Sequence, residues 1–260
     1  MDPRLERLAA DLAEAWRSDT RTPLPGSGSG PASRAEAFAV QDRMAELIGD
    51  RTAGWKVGAA VKAVQELEGH DGPIIGRILA GRLYHSPTRV PAATFAGGKA
   101  ECEFAFRLMA DLPPREAPYT RAEVADIIVF HPAIELTGSR YVPPGAGRQT
   151  TTHEVIADNG NAAGFVFGPP LPAWQSIPFT TLPIDARLDG VPLEVYTGVQ
   201  RYDPVTAVAD TATELAARGI GLQAGDYVST GSATVPIAIG DGQTLVARFG
   251  DLQRLEVTLV

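Results

Sequence analysis

The sequence contains a single cysteine, Cys102, among its 260 residues. An intrachain disulfide is therefore impossible, and a scaffold held together by disulfides is excluded. The sequence also lacks an apolar run long enough to cross a bilayer. The amphipathic stretch from Met1 to Arg17 has no apolar core of the kind that a signal peptide needs. These absences predict a protein of the reducing cytoplasm that has no membrane partner.

Positive charge is also scarce. Lys and Arg number 23 against 31 Asp and Glu, which gives a net charge of -8. Such a surface repels a phosphate backbone, so we expect no nucleic-acid partner. A small anionic substrate is not excluded, because a bound divalent cation can invert the local sign of the charge.

The composition favours a fold with many turns and short strands. Gly numbers 27 and Pro 21, while 44% of the residues are hydrophobic and can form a sizeable core. Apolar residues recur at helical spacing from Leu5 to Trp16 and again over Arg34 to Ile48, which predicts two N-terminal helices. We therefore divide the chain into a helical region, residues 1–52, and a core, residues 53–260.

The core is dominated by strand-like segments. Two short helices are predicted in it, one by a capping box at Thr120 and Glu123 and one by Asp203-Pro204. The strand-like segments are Ile127 to Leu136, Phe165 to Phe167, Ile184 to Leu188, Tyr227 to Ser229, Leu245 to Phe249 and Leu255 to Val260. The alternation of strand and long helix that a doubly wound fold requires is missing. The prediction is an α+β fold whose core is a mixed β-sheet or β-roll.

Two glutamates lie close together in the segment from Ala100 to Met109. If this segment is a strand, Cys102 and Phe104 share one face, and Glu101 and Glu103 project side by side from the other. Their like charges repel, and a hard cation such as Mg²⁺ or Mn²⁺ would relieve that repulsion. The alternative is a half-buried strand whose outer face is only solvated.

A third glutamate, Glu135, lies within a run apolar enough to form a buried strand. A buried carboxylate needs a partner or a shifted pKa. A metal shared with Glu101 and Glu103 would supply the partner. Arg140 could also do so as an ordinary ion pair, and the residues alone leave both readings open.

Lys56 lies between two glycines in Gly54-Trp-Lys-Val-Gly58, on the strand face opposite to Trp55 and Val57. Near a metal, such a lysine could bind a substrate carboxylate or move protons. It could equally be an ordinary surface lysine.

Two further polar segments are interpreted as structural elements when only their composition is considered. Asp158 to Asn161 has the composition of a turn, and Ser229 to Thr234 that of a polar loop whose hydroxyls could also bind an anion. The four histidines show no close metal-ligand spacing. No Gly-x-Ser-x-Gly elbow marks a nucleophile.

Taken together, these residues resemble the fumarylacetoacetase superfamily, and most closely its 2-keto-4-pentenoate hydratase and 2-oxo-3-hexenedioate decarboxylase branch. The resemblance extends from the second helix to the C-terminus. It is carried by Ala39-Val-Gln41, Gly54-Trp-Lys-Val-Gly58, Asp71-x-Pro73-x-x-Gly76, Glu101-x-Glu103, Glu135 with Ser139-Arg140, Ala157-Asp-Asn159, Ala224-Gly-Asp226, Gly231-Ser232 and Phe249-Gly250.

The resemblance implies a metal, Mg²⁺ or Mn²⁺, that chelates the carboxylate and 2-oxo oxygens of a small 2-oxo acid. It implies site residues with three roles: metal ligands Glu101, Glu103 and Glu135; catalytic residues Lys56 and Asp158; and substrate-binding residues Lys56, Asn161 and Ser232. A Lewis acid on the 2-oxo group stabilises an enolate, which serves hydration and decarboxylation alike. The resemblance also implies a homo-oligomer that could associate with a neighbouring enzyme of its pathway.

The chain departs from this branch at several positions around the expected site. Ile74 stands where hydratases can carry an aspartate, and Gly138 precedes Ser139-Arg140 in place of an aspartate. Asn161 replaces a serine, and Ala59 follows Gly58 where the branch has leucine. The expected metal ligands are retained, whereas several polar residues near them are changed.

Four functions fit the sequence, and a hydratase that adds water to a 2-hydroxy-2,4-dienoate comes first. The first alternative is decarboxylation of a 2-oxo-3-enedioate on the same metal. C–C hydrolysis of an acylpyruvate ranks lower, because the sequence shows no histidine-centred activation of water. A non-catalytic partner subunit is the fourth hypothesis, and the changed residues around the metal motivate it.

Overall fold

The computed structural model describes residues 1–95, 98–143, 148–196 and 201–260. The described helices are α1 (Pro3–Ser18), α2 (Arg34–Ile48), α3 (Lys62–Glu68), α4 (Arg121–Ala125), α5 (Thr152–Ala157) and α6 (Pro204–Ala217). The described strands are β1 (Thr52–Gly58), β2 (Ile74–Leu79), β3 (Leu83–His85), β4 (Thr88–Val90), β5 (Lys99–Leu108), β6 (Ile128–Thr137), β7 (Ala162–Phe167), β8 (Ile184–Leu188), β9 (Val191–Leu193), β10 (Tyr227–Ser232), β11 (Ile237–Ala238), β12 (Thr244–Phe249) and β13 (Gln253–Leu259).

The larger sheet is mixed, as the sequence predicts. Its strands lie in the order β2-β1-β10-β5-β6-β7-β3, and β11 pairs with β5. The β1–β10 and β3–β7 pairs are parallel, and the other pairs are antiparallel. A second sheet has the order β4-β13-β12-β8-β9. The two central strands of the larger sheet, β5 and β6, carry the glutamates singled out above.

The main core uses one face of β5 and residues of both sheets. Phe104 and Phe106 of β5 pack in a buried cluster with Phe130 of β6 and Phe249 of β12. The ring centroids of Phe104 and Phe249 lie 6.2 Å apart in an edge-on arrangement, which aromatic pairs favour. Cys102 is fully buried in the same cluster, so its predicted position on the apolar face is confirmed. The opposite face of β5 is left for polar groups.

Helices α1 and α2 match the two predicted N-terminal helices, and local capping explains where they begin and end. The Asp2 side chain accepts a hydrogen bond from Arg4 N and Pro3 opens α1, while Ser33 caps α2. Gly49 ends α2 with a φ of 73°, a left-handed conformation that glycine adopts without strain. The apolar faces of both helices pack in one buried cluster with Leu79, Tyr141 and, from α5, Ala157.

Several short elements were not predicted from the sequence. Helix α3 buries none of its residues, so it has no apolar periodicity to detect. Helix α5 opens with a complete capping box at Thr151 and Glu154, a signature that was present in the sequence but not used. Strands β3, β4 and β9 have three residues each, too few for an alternation pattern. None of the helices in the described ranges combines the length and apolar character needed to span a membrane.

Candidate metal centre and active site

The pairing of β5 with β6 brings the three predicted metal ligands together. Glu101 lies directly opposite Glu135, and Glu103 lies opposite Ala133, one residue pair further along the same face. One carboxylate oxygen from each of Glu101, Glu103 and Glu135 lies within 4.8 Å of the others. We call these three residues the glutamate cluster. Side chains two residues apart on a strand point to the same face, and this periodicity along both strands creates the glutamate cluster.

Two members of the glutamate cluster are buried and Glu101 is partly buried, and the three carboxylates outnumber the cations beside them in the described part of the chain. Glu103 is 1% exposed and Glu135 is 2% exposed. Burial, and after it the charge of Glu135, raises the pKa of Glu101 to about 7. The same two causes, with the charge of Glu101 added, hold the pKa of Glu103 well above its usual range. Three closely spaced carboxylates, two of which have raised pKa values, form a site that favours a cation.

Lys56 supplies one positive charge to the cluster. Its Nζ lies 3.5 Å from Glu135 Oε1, and both side chains are buried. The distance gives an ion pair without a hydrogen bond, and Glu135 Oε1 is a buried oxygen without a hydrogen-bond partner among the described residues. One ammonium against three carboxylates leaves room for a divalent ion. Lys56 is therefore a buried residue and not an ordinary surface lysine, and Trp55 and Val57, predicted to share the opposite strand face, pack in the main core.

Ser229 on β10 orients one of the ligands. Its hydroxyl donates a hydrogen bond to Glu103 Oε2, and the serine is fully buried. The sequence analysis placed Ser229 only in a polar loop and gave it no such role. Strand β10 lies between β1 and β5. Its antiparallel pairing with β5 brings Ser229 to Glu103, and its parallel pairing with β1 places Ser229 opposite Lys56.

Glycines make the space in which the Lys56 side chain lies. A Cβ placed on Gly160 would lie 3.0 Å from Lys56 Cε, and one on Gly76 would lie 3.3 Å from the same atom. Gly160 also has a φ of 62°, in the left-handed region that favours glycine. The Asp158 to Asn161 segment is therefore a turn, as predicted, and it is also one wall around the lysine.

Asp158 is fully buried, and both of its carboxylate oxygens are occupied. Oδ1 accepts from Arg140 Nε, while Oδ2 accepts from Ser139 Oγ and from Arg140 N, each at 2.8 Å. Burial raises the pKa of Asp158, and the Arg140 charge opposes that rise. Arg140 consequently pairs with Asp158, and the alternative of an Arg140–Glu135 ion pair is wrong.

Besides Lys56, two substrate-binding residues were predicted, Ser232 and Asn161. Ser232 is exposed and lies opposite Glu103 in the β10–β5 register, with its hydroxyl donating to Thr234 O at 2.7 Å. Asn161 has a φ of 59°, and its backbone carbonyl accepts from Gly138 N at 2.8 Å. Their side chains' role toward a substrate stays a prediction.

A histidine–carboxylate pair near the cluster was missed by the sequence analysis. His70 Nε2 lies 3.3 Å from Glu68 Oε2, and His70 Nδ1 lies 2.9 Å from Thr152 Oγ1. The charge of Glu68 also contributes to the raised pKa of Glu101. The Glu68-Gly-His70 spacing was visible in the sequence, but only the fold shows that it lies near the glutamates.

Comparison with known proteins identifies the family. The chain is 31% identical over 250 residues to a TodF product hydratase of Pseudomonas putida, covering 90% of this chain and 88% of that protein. It is 30% identical over 249 residues to a 2-hydroxyhexa-2,4-dienoate hydratase of Comamonas testosteroni, covering 91% of each. A 2-keto-4-pentenoate hydratase of Burkholderia vietnamiensis is 28% identical over 99% of this chain and 98% of its own length.

The chain belongs to the family of these hydratases. The resemblance stated from the sequence is thereby confirmed, and with it the assignment to a family of enzymes. No protein-family profile matches the chain. Its family membership therefore rests on whole-length relatives and on the ligand set described above.

Solved structures of the superfamily share the fold. A 4-oxalocrotonate decarboxylase from Pseudomonas putida G7, complexed with magnesium and adipate, superposes with a TM-score of 0.87 at 22% identity, covering 100% of this chain and 98% of that one. A fumarylpyruvate hydrolase from Pseudomonas aeruginosa, in complex with Mn²⁺ and pyruvate, gives 0.56 at 19% identity, covering 81% of this chain and 90% of that one. At these identities the likeness shows the fold alone.

Proposed function

We propose that the protein is a divalent-metal-dependent hydratase that adds water to a 2-hydroxy-2,4-dienoate or its 2-oxo tautomer. One observation carries the proposal: three carboxylates and one lysine converge in a buried site of a chain whose relatives of at least 30% identity are named hydratases. Decarboxylation of a 2-oxo-3-enedioate, the activity named for other relatives, needs the same headgroup and is separated by the assay below.

The donor set fits a divalent cation. Three carboxylate oxygens within 4.8 Å of one another are hard ligands, and Glu135 Oε1 is a buried oxygen without a hydrogen bond among the described residues. Glu101, Glu103 and Glu135 would hold Mg²⁺ or Mn²⁺, which supplies Lewis acidity toward the carboxylate and 2-oxo oxygens of the substrate when bound. Ser229 keeps Glu103 Oε2 engaged and so fixes the direction of that carboxylate.

Lys56 is the residue that we propose for substrate binding and proton movement. Its ammonium group is held beside Glu135 by a strand on one side and by Gly76 and Gly160 on the other. In a buried site its charge attracts a substrate carboxylate strongly, and a lysine at this position can also pass a proton to or from the reacting carbon. Ser232 and Asn161 complete the proposal as substrate-binding residues.

The role of Asp158 is revised. Both oxygens of the buried carboxylate are hydrogen-bonded to Ser139 or Arg140, which is typical of a structural carboxylate. We propose that Asp158 is a positioning residue that holds the 158–161 turn, and with it Gly160, against Lys56. Proton movement is then left to Lys56, or to the His70–Glu68 pair if the substrate reaches it.

The test begins with calorimetry on metal-stripped protein, titrated with Mg²⁺ and Mn²⁺ in the presence and absence of oxalate. We expect saturable metal binding that strengthens with oxalate and is lost in Glu103→Gln but kept in the exposed control Glu116→Gln. The loss of the dienoate absorbance with Mg²⁺ present then tests hydration. If the protein releases CO₂ from a 2-oxo-3-enedioate and leaves the dienoate unchanged, the proposed activity is decarboxylation and not hydration. Metal binding without either turnover would support the partner-subunit hypothesis.

The quaternary and cellular setting is part of the same proposal. We propose a cytoplasmic homo-oligomer that can associate with the enzyme preceding or following it, as the family resemblance implies. Light scattering of the purified chain measures the first point, and a single-chain mass of about 27.5 kDa would contradict it.

A further inference from the structure

A buried glutamine of α2 joins two separate elements of the core. Gln41 is 1% exposed, although its side chain carries an amide. Its Nε2 donates to the carbonyl oxygen of Ile75 on β2 at 2.9 Å and to that of Ile156 on α5 at 2.8 Å. Its Oε1 accepts from Arg77 Nη1 at 2.9 Å. Because a carbonyl only accepts and a guanidinium only donates, all three partners require the same orientation of the amide.

The two elements that Gln41 joins carry the two glycine walls around Lys56. On β2, Gly76 directly follows the first acceptor and pairs with Lys56 in the β1–β2 register. Helix α5 holds the second acceptor and continues into the 158–161 turn, which contains Gly160. A Cβ on either glycine would lie within 3.3 Å of Lys56 Cε. Gln41 therefore ties together the two segments between which the lysine lies.

A second buried amide holds the same two segments. Asn159 is 3% exposed, and its Oδ1 accepts from Arg77 N at 2.7 Å while its Nδ2 donates to Arg77 O at 2.9 Å. The asparagine thereby satisfies both backbone groups of a residue on β2, a strand at the edge of the larger sheet. A Cβ on Gly76 would overlap the carbonyl oxygen of Asn159, so the turn and the strand are in close contact. We call Gln41 and Asn159 the amide clamp.

The amide clamp is separate from the glutamate cluster. Within the described structure its side chains bond to β2 and α5 and to neither β5 nor β6, which carry the glutamates. Lys56 Nζ lies 3.5 Å from Glu135 Oε1, too far for a good hydrogen bond to fix its direction. A lysine side chain has four carbons and is flexible, so the walls around it restrict where the ammonium group points.

We propose that Gln41 is a positioning residue for the reaction. Its two donated hydrogen bonds set the gap between the walls and thereby the direction of the Lys56 ammonium group toward a substrate carboxylate. The inference rests on the function proposed above, in which Lys56 meets the substrate. It also gives a role to the Ala39-Val-Gln41 motif, which the metal ligands do not explain. Helix α2 is thereby part of the active-site framework.

The experiment compares the parent with Gln41→Met, which keeps the length of the side chain and loses both donated hydrogen bonds. Calorimetry on the Mg²⁺-loaded protein measures oxalate affinity, and the dienoate assay measures turnover. We expect both to fall about tenfold, while Mg²⁺ affinity stays within about twofold of the parent. Hydrogen–deuterium exchange of the backbone amides in residues 158–162 should become at least about tenfold faster, because the turn has lost its tie to α2.

Two further variants separate positioning from general stability. Met44→Ala is the matched control, since Met44 is 1% exposed one turn further along α2 and packs in the cluster shared with α1. It should lower stability and leave oxalate affinity and turnover within about twofold of the parent. Gln41→Glu keeps an acceptor for Arg77 but, when ionised, cannot donate to the two carbonyls. It should therefore lose oxalate affinity and turnover as Gln41→Met does.

The outcomes decide the role of Gln41 separately from the proposed function. Parent-like oxalate affinity and exchange in Gln41→Met and Gln41→Glu overturn the inference. An equal loss of oxalate affinity and turnover in Met44→Ala also overturns it, because Gln41 would then matter only for stability. If the parent binds no metal or turns over neither substrate, the proposed function fails, and the exchange rates still decide whether Gln41 holds the turn. If Gln41→Met does not fold, Gln41→Glu decides alone.

Discussion

Asp158 and the glutamate cluster differ in how the charge of their carboxylates is balanced. Asp158 is matched by Arg140, which bonds to its carboxylate through both a side-chain and a backbone nitrogen. The glutamate cluster has three carboxylates and, among the described residues, only Lys56 as a cation within ion-pair distance. The first group is complete within the chain, whereas the second needs a further positive charge. Charge balance therefore separates a structural carboxylate from ligand-binding ones better than burial does, because both groups are buried.

The largest loss of stability should follow from removing Arg140, the cation that balances Asp158. Arg140→Met leaves Asp158 buried without its cation, so we expect a loss of about 3–5 kcal/mol in the free energy of unfolding. Urea denaturation measures it, with the exposed Arg187→Met expected to change stability by less than about 0.5 kcal/mol. Adding Asp158→Asn to Arg140→Met should recover part of the loss. Equal stability of Arg140→Met and the parent would refute the contrast.

In the glutamate cluster, removing a carboxylate is expected to stabilise the metal-stripped protein. Glu103→Gln keeps the shape of the side chain and removes a carboxyl group whose ionisation the folded protein disfavours. Metal affinity should drop at least about 100-fold, while the metal-stripped protein should become more stable by about 1 kcal/mol. Calorimetry and urea denaturation measure the two quantities, and Glu116→Gln should change neither. A destabilised metal-stripped variant would show that the cluster is already balanced within the chain.

Ser229→Ala tests whether the orientation of a ligand matters as well as its charge. The loss of the hydroxyl frees Glu103 Oε2, so metal affinity should fall about 10-fold to 100-fold. The exposed Ser232→Ala is the matched control for metal binding, because its hydroxyl bonds to Thr234 O instead of to a glutamate. An unchanged affinity in Ser229→Ala would mean that β5 alone fixes Glu103.

Gly160→Ala tests the wall around Lys56. Its added Cβ would lie 3.0 Å from Lys56 Cε at a φ of 62°, so the lysine must shift and the turn is strained. Turnover should fall about tenfold while metal affinity stays within about twofold of the parent. Steady-state kinetics and calorimetry separate the two effects. A parallel loss of metal binding would instead indicate that the turn supports the glutamates.

The smallest effect should be the pH dependence contributed by His131. Burial lowers its pKa in the folded protein below the unfolded value of about 6.5. The unfolded chain then binds more protons, so this contribution to stability is complete above about pH 6.5 and is lost as the pH falls toward the folded pKa. His131→Asn should flatten the stability profile between about pH 4 and 6.5. An unchanged slope in that range would assign it to other groups.

Much of the local structure followed from the sequence. The capping box at Thr120 and the Asp203-Pro204 pair predicted helices that the structure contains, because capping depends on residues within one turn. Alternation along β5 predicted that Cys102 faces the core and that Glu101 and Glu103 share the other face. Helix α3 was not predicted, since it buries no residue and leaves no periodic signal.

The sequence by itself determined the set of candidate ligands, because strand periodicity and the residue types are local properties. Only the tertiary structure decided which charges meet. The register between β5 and β6 places Glu135 opposite Glu101, and the antiparallel pairing of β10 with β5 brings Ser229 to Glu103. The tertiary structure also pairs Arg140 with Asp158, whereas the sequence left the partner of Arg140 open. These pairings join residues distant in the chain, and the burial they produce sets the pKa values and the charge balance on which the proposed chemistry depends.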